Sequence, residues 1–464
     1  MDLAGKRVVV VGLARSGLAA IELLVSKGAR VTATDVRPLE QLPGAGAVLE
    51  RFGVPFAPQS PEVFRGADLA VLSPGVPPQL EVLREARSHG VRVIGEVELA
   101  AWFLQGPVIG ITGTNGKTTT TVLTGHLLRS AGIPAQVGGN TGMGFPAASA
   151  LVATSGPEQW NVLELSSYQL ETIERFRASI AVGLNVTPDH LDRHGTFEAY
   201  AAAKARLFET QTEDGYAVLN ADDPVCLSYA ARTRARTVWF SLSRAVTPGL
   251  WLDGDRILFD DELLVEAAAI PLRGRHNLEN VMAASAAARL AGAGLEAIAS
   301  GLRTFPGVEH RLEFVRRAGG IEFYNDSKAT NVDAALKAIE AFPGRLWIIL
   351  GGDDRKRSDF RALAGALSGK TRGALLIGEA APRLAAALQG RVPVIECGTL
   401  QAAVEQAWRL AAPGDIVLLA PACASFDQFE NYEHRGRVFK ELVHRLREAD
   451  RAAPASRKES WRNA

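Results

Sequence analysis

Residues 108–121 read VIGITGTNGKTTTT, an apolar strand-like run, a loop containing Gly113 and Gly116, and a helix-forming stretch. Glycines in such a loop let backbone N–H groups converge on phosphate oxygens without side-chain clash. Lys117 can neutralise terminal phosphates, Thr118 can place a hydroxyl on Mg²⁺, and the following helix adds its dipole. The usual P-loop pattern needs glycine at position 111, which is Ile111; the glycines stand at 110, 113 and 116. Alone, this loop indicates nucleotide hydrolysis or transfer. The bland alternative is a glycine-rich turn that happens to precede Lys and Thr.

Three further residues have chemistry to offer. Glu164 lies inside the strand-like run Val162-Leu163-Glu164-Leu165. A carboxylate there is costly unless something charged pairs with it, either Mg²⁺ at the strand end or a buried arginine. His190 follows another strand candidate in Asn185-Val186-Thr187-Pro188-Asp189-His190 and is read as a metal ligand or as a structural residue. Lys204 shares one helical face with Phe197, Tyr200, Ala201, Leu207 and Phe208. If buried, its pKa falls and the neutral amine becomes nucleophilic enough to add CO₂, giving a carbamate that ligates metal as a carboxylate does. If it snorkels to the helix edge, it stays an ordinary solvated lysine.

The elements that must position these residues follow from periodicity. Short apolar runs at 7–12, 30–35, 69–73 and 91–94 alternate with helical patterns and read as buried parallel strands. Similar runs occur at 108–111, 162–165, 180–185 and 217–220, and again at 321–324, 346–350, 375–377, 392–395 and 416–419. The stretch 235–272 has shorter alternating segments and predicts a small β-layer. An alanine-rich helix is expected over 277–290. The chain is therefore expected to be α/β in three domains, 1–98, 99–306 and 307–450, with a frayed tail at 451–464. The middle domain is expected to carry the phosphate loop on a parallel sheet.

Composition excludes other classes. Among 464 residues, 51 basic side chains balance 51 acidic ones, so no global field favours nucleic acid or an anionic membrane. No apolar run is long enough to span a bilayer, and Met1-Asp2 opens no leader pattern. Cys226, Cys397 and Cys423 lack metal-ligand spacing and read as reduced thiols. The expectation is a cytoplasmic monomer acting on small molecules.

Taken together, the motifs resemble the Mur ligase family, and within it the branch that adds D-glutamate. The matching stretches are 110–119, 139–142, 164–171, 185–193, 203–207, 276–280, 310–311, 325–331 (NDSKATN), 351–353 and 421–429 (PACASFDQF). The resemblance implies Rossmann-like outer domains around a central P-loop-type ATPase domain, and an ATP-dependent acid–amino-acid ligase of peptidoglycan synthesis, in which UDP-N-acetylmuramoyl-L-alanine is activated as an acyl phosphate and then takes D-glutamate. It implies that the loop Gly113-Thr114-Asn115-Gly116-Lys117-Thr118-Thr119 holds the ATP phosphates. Two Mg²⁺ would be served by Thr118 and Glu164, and by His190 and a carbamate on Lys204. Asn277 and Asn280 would meet the adenine side. Arg311, Asp326 and Lys328 would reach the nucleotide and its phosphates. Arg15, Ser16, Asp35, Arg37, Ser73 and Asn140 would serve the UDP-substrate. Thr330, Ser425, Tyr432 and a lysine after Gly351-Gly352-Asp353 would bind D-glutamate. That last segment is one residue longer than usual, so Lys356 and Arg355 compete, with Lys356 preferred.

The rival from another class is a nicotinamide-dependent oxidoreductase, suggested by the strand, Gly12-Leu13-Ala14-Arg15-Ser16-Gly17 and Asp35. Ala14 replaces the central glycine that lets a pyrophosphate approach the backbone, and the rival explains nothing after residue 35. A non-catalytic ATP-binding protein would leave the paired metal-ligand candidates without a use.

Overall fold

A computed structural model of the chain describes residues 1–140, 145–353, 355 and 358–447. Lys356, part of the 139–142 motif and the tail expected at 451–464 lie outside the described residues. Three sheets run in chain order. The first has five parallel strands in the spatial order Phe56–Pro58, Arg30–Asp35, Arg7–Val11, Leu69–Leu72, Arg92–Gly95. The alternation of the central strand explains its two cores: Val8 and Val10 pack on one face, Val9 and Val11 on the other.

The second sheet has nine strands. Its parallel part runs Ala135–Gly139, Trp160–Glu164, Val108–Thr112, Ile180–Gly183, Tyr216–Asn220, Arg236–Ser241 and Gly249–Asp253. The small β-layer expected from 235–272 is continuous with this sheet. Arg256–Phe259 and Glu262–Glu266 extend its edge as antiparallel strands. The third sheet has six strands: Glu313–Ala318 antiparallel at the edge, then Ile321–Asn325, Ile416–Leu419, Leu346–Gly351, Thr371–Ile377 and Val394–Gly398, all parallel.

The chain packs as two compact units, 1–271 with 276–305, and 272–275 with 306 onward. The first unit contains both of the first two sheets. Glu98 joins them. It is fully buried on the short helix Glu96–Ala101, and its carboxylate accepts from the backbone N–H groups of Glu174, Arg175 and Phe176 at 2.8–3.0 Å and from the Trp102 indole at 2.9 Å. Four donors around one buried carboxylate repay its desolvation.

Candidate active site

In the second sheet the strand Val108–Thr112 lies between Trp160–Glu164 and Ile180–Gly183, with Ile111 beside Glu164 and Thr112 beside Gly183. The chain leaves this strand toward one side of the sheet and returns on the other. A crevice therefore opens at the carboxyl ends of the three strands, the usual ligand position in an open α/β sheet. All three chemically suggestive loops emerge there.

The phosphate loop is held from outside and from below. Asn115 N–H donates to Asn185 Oδ1 at 2.8 Å, and Thr114 N–H to the Asn185 carbonyl at 2.8 Å. Thr187 N–H donates to Thr114 Oγ1 at 3.0 Å. Gly116 has φ +85° and caps the helix Lys117–Ser130. A Cβ there would lie 2.1 Å from Asn280 Oδ1, so both conformation and space require glycine. Asn280 also accepts from Thr120 Oγ1 at 3.2 Å and donates to Asn277 Oδ1 at 3.0 Å. The two asparagines expected at the nucleotide thus stand against the start of this helix. The hydroxyl of Thr119 is buried without a hydrogen-bond partner.

Lys117 Nζ donates to the carbonyls of Gly113 and Thr114, both at 2.8 Å. Lys204 Nζ donates to the same Gly113 carbonyl at 2.9 Å and lies 4.5 Å from the Tyr200 ring centroid. Lys204 is 1% exposed, which excludes the snorkelling alternative. Burial first, and then the neighbouring charge of Lys117, hold its pKa well below the ordinary lysine value. Its helix, Phe197–Glu209, starts where Thr196 accepts from Ala199 N–H at 3.1 Å, and that phase carries the lysine face inward.

Glu164 is 4% exposed. Its Oε2 has no hydrogen-bond partner, and among the described residues no arginine pairs with it, so the buried-arginine alternative fails. After it, Ser166 and Gln169 form a capping box that begins the helix Ser167–Leu170 and aims Tyr168 outward. The Tyr168 hydroxyl lies 3.0 Å from His190 Nδ1. His190 has φ +52°, a conformation uncommon for a residue with a side chain, and its ring is half exposed. His190, Tyr168, His194 and Tyr200 stack loosely, with centroids 5.1–6.2 Å apart.

Among the described residues no three His, Cys, Asp or Glu side chains form a ready metal cage. Mg²⁺ suits such a site nevertheless, because it commonly takes one or two carboxylates and completes its shell with phosphates and water. The orphaned Glu164 oxygen fits that requirement.

On the first sheet Gly12, with φ +87°, turns the chain toward the helix Arg15–Ser26, whose first turn presents Arg15 and Ser16. Asp35 accepts from Leu13 N–H at 2.9 Å and Arg37 N–H at 3.0 Å. Burial would raise its pKa, but the backbone bonds from Arg37 and Leu13 outweigh this and lower it. Ser73 Oγ donates to the Gly12 carbonyl at 2.6 Å. Asp35 and Ser73 therefore shape the loop that leads into Arg15 and Ser16, and Asp35 also holds Arg37 on the loop after its own strand. Asn140 N–H donates to the Glu164 carbonyl at 2.8 Å, which puts Asn140 at the crevice.

In the second unit the turn 325–331 and the turn 421–425 face each other, and Ala422 N–H donates to the Ala329 carbonyl at 2.9 Å. Lys328 Nζ lies 5.7 Å from the Tyr432 ring centroid. Thr330 and Ser425 sit on the two turns. Burial raises the pKa of Asp326 to about 7 against the opposing charges of Arg311 and Lys328. Arg311 Nε is buried and unpartnered. Arg355 pairs with Asp353 at 2.6 Å and stands 5.7 Å from the Phe426 ring.

Sequence reasoning overlooked Tyr168, Tyr200, His194 and Arg435. Tyr200 Oη lies 3.0 Å from Thr114 Oγ1, and burial lifts its pKa to about 12. His194 lies 3.2 Å from Glu171 and 3.0 Å from Ser167 Oγ. Tyr200 lies on the same helical face as Lys204, where an aromatic side chain among apolar ones gives no signal beyond packing. Arg435 carried the same signal as Lys204, a cation in phase with the apolar Phe439 and Val443.

Comparison with known proteins agrees with this geometry. The Mur ligase MurD-like N-terminal domain matches residues 6–95, the Mur ligase middle domain residues 111–288, and the Mur ligase glutamate ligase domain residues 310–423. A UDP-N-acetylmuramoylalanine–D-glutamate ligase of Solibacter usitatus is 59% identical, covering 97% of this chain and 100% of its own. One of Acidobacterium capsulatum is 52% identical, covering 100% of each. The crystal structure of the UDP-N-acetylmuramate–alanine ligase MurC of Thermotoga maritima has a TM-score of 0.60 at 18% identity, over 95% of this chain and 99% of that one, and shares the fold. The chain, with its three α/β sheets and its phosphate loop at the central switch point, belongs to the Mur ligase family.

Proposed function

We propose that this chain is the ATP-dependent ligase that adds D-glutamate to UDP-N-acetylmuramoyl-L-alanine in peptidoglycan precursor synthesis, working as a monomer in the cytoplasm. The substrates are those in the names of its 59% and 52% identical relatives. The observation that carries the chemistry is the convergence of Lys117, the unpartnered Glu164 oxygen and the buried Lys204 amine on one crevice. In this reading residues 1–98 hold the UDP end through Arg15, Ser16, Asp35, Arg37 and Ser73, with Asn140 from the next domain. Residues 99–306 hold ATP, and residues 307–450 take the amino acid.

The substrate carboxylate attacks the γ-phosphorus of ATP, the bridging bond breaks, and ADP leaves. The amine of D-glutamate then attacks the acyl phosphate carbonyl, phosphate departs and the released proton goes to solvent. Phosphoryl transfer needs positioning and charge neutralisation more than covalent help. Residues 113–119 supply backbone N–H groups, Lys117 supplies charge, and Asn277 and Asn280 fix the adenine side. Arg311, Asp326 and Lys328 serve the nucleotide phosphates, while Thr330, Ser425, Tyr432 and Lys356 hold D-glutamate.

Magnesium would supply further neutralisation and a template for the reacting oxygens. Thr118 and Glu164 would hold one ion, and His190 with a carbamate on Lys204 the second. The burial of Lys204, which holds its pKa well below the ordinary lysine value, supports that carbamate, since CO₂ adds to the neutral form of the amine to give N–COO⁻ and one released proton.

Purified protein offered ATP, Mg²⁺, UDP-N-acetylmuramoyl-L-alanine and a panel of amino acids should release phosphate with D-glutamate above all others. Preference for L-alanine, L-lysine or meso-diaminopimelate would reject the assignment.

A further inference from the structure

Arg435 is 0% exposed on the helix Tyr432–Arg445. All five of its N–H groups find an acceptor. Nε donates to Ser327 Oγ at 3.0 Å and one Nη to the Ser327 carbonyl at 2.9 Å. The Cys423 carbonyl takes both Nη groups at 3.2 Å, and the Ala424 carbonyl takes one at 3.2 Å. Every acceptor is neutral, and among the described residues no carboxylate pairs with this guanidinium. Burial accordingly depresses its pKa to about 10.

An arginine buried with no carboxylate in contact, and only the more distant charge of Asp427 to oppose its own, is a poor way to stabilise a domain. Well-packed apolar side chains in such places often do as well or better. What the planar fork supplies is fixed geometry, because its donors point in set directions and bind two separate turns at once. Ser327 extends the clamp by donating from Oγ to the Tyr432 carbonyl at 2.8 Å, back on the helix that carries Arg435. The surroundings leave the clamp no slack. A Cβ on Gly436 would lie 2.2 Å from His310 Nδ1, and one on Gly352 would lie 2.2 Å from the Ala424 carbonyl. Lys328 follows one end of the clamp directly, Ser425 follows the other, and Tyr432 is its third anchor.

We propose that Arg435 is a positioning residue for the acceptor amino acid, clamping the turn that carries Thr330 to the turn that carries Ser425. This rests on the assignment of those turns to D-glutamate. Charge alone does not replace the fork, so Arg435→Lys should fail almost as Arg435→Gln does.

The test is steady-state kinetics of the full-length chain, with each variant's fold checked by circular dichroism and thermal melting. Arg435→Lys is expected to raise the KM for D-glutamate about tenfold or more, and that for ATP less, through Lys328 on the same turn, while the KM for UDP-N-acetylmuramoyl-L-alanine stays within about twofold. Ser327→Ala, which removes one acceptor and leaves the guanidinium in place, is expected to show the same split at a smaller size. It decides the matter if Arg435 variants do not fold. A D-glutamate KM within about twofold of wild type, or an equal rise for UDP-N-acetylmuramoyl-L-alanine, would overturn the clamp. If the wild-type protein does not use D-glutamate, the functional assignment has failed. The clamp is then judged by amide hydrogen exchange: Arg435→Lys should speed exchange at 327–330 and 423–425, and unchanged protection would overturn it.

Discussion

Lys204 and Lys117 donate to one carbonyl, that of Gly113. Two ammonium groups at that spacing repel, and the buried one yields its charge at least cost. Such a lysine is a liability for stability that a catalytic role would justify. Lys204→Met, which keeps the volume and removes the amine, is expected to raise Tm by a few degrees and abolish phosphate release. Lys204→Ala is expected to be nearly inactive and partly restored by a small added carboxylate. Full activity of either variant would remove the lysine from the mechanism. Asp326 offers a second test. Its folded pKa of about 7 exceeds the unfolded value of 3.8. A raised carboxyl pKa favours the fold while the group is protonated, so its contribution is complete below about pH 4 and lost as pH rises through about 7. The melting temperature of Asp326→Asn relative to wild type should therefore climb between pH 5 and pH 8, by an amount on the order of a few kcal/mol in stability. A flat difference would show that Arg311 and Lys328 cancel the burial.

At the scale of elements, the junction between the strand Val108–Thr112 and the helix Lys117–Ser130 is the most constrained point. Gly116→Ala forces a Cβ against Asn280 in a backbone region unfavourable to L-residues. The cost should be about 1–3 kcal/mol of stability. Because Asn280 must move, the KM for ATP should rise while that for D-glutamate changes little; a normal ATP KM would separate Asn280 from the nucleotide. The strands themselves divide by position. The strand candidates named from periodicity include every buried central strand of the first and third sheets, because burial on both faces demands an unbroken apolar run. The three overlooked strands, Phe56–Pro58, Ala135–Gly139 and Glu313–Ala318, all lie at sheet edges. Edge strands tolerate Pro, Gly and charge, and Pro58, Gly138, Gly139, Arg316 and Arg317 break the pattern that periodicity detects.

At the scale of the whole molecule, the chain passes between its two compact units at 271–272, 275–276 and 305–306. The segment 272–275 is anchored on the second unit by Arg273, which pairs with Glu322 at 3.3 Å and lies 5.3 Å from the Tyr324 ring centroid. Each unit has a core of its own. Calorimetry is therefore expected to resolve two unfolding steps. Saturating ATP with Mg²⁺ should raise the step of the unit containing the phosphate loop, by about 2.7 kcal/mol at a ligand concentration of 100 Kd. A single transition insensitive to nucleotide would contradict both expectations.

Sequence alone determined the α/β class, the phosphate loop and the helical face of Lys204, because each depends on local order: a strand, a turn and a period. It also carried enough spaced motifs to point to the family. It could not decide between a buried and a snorkelling Lys204, or whether a buried arginine pairs with Glu164. Those outcomes depend on what the other elements leave around a side chain, and only the packed structure supplies that. Arg435 shows the same limit from the other direction. Its helical phase was legible, but the acceptors that satisfy it lie 11, 12 and 108 residues away in the chain and meet it only in the folded unit.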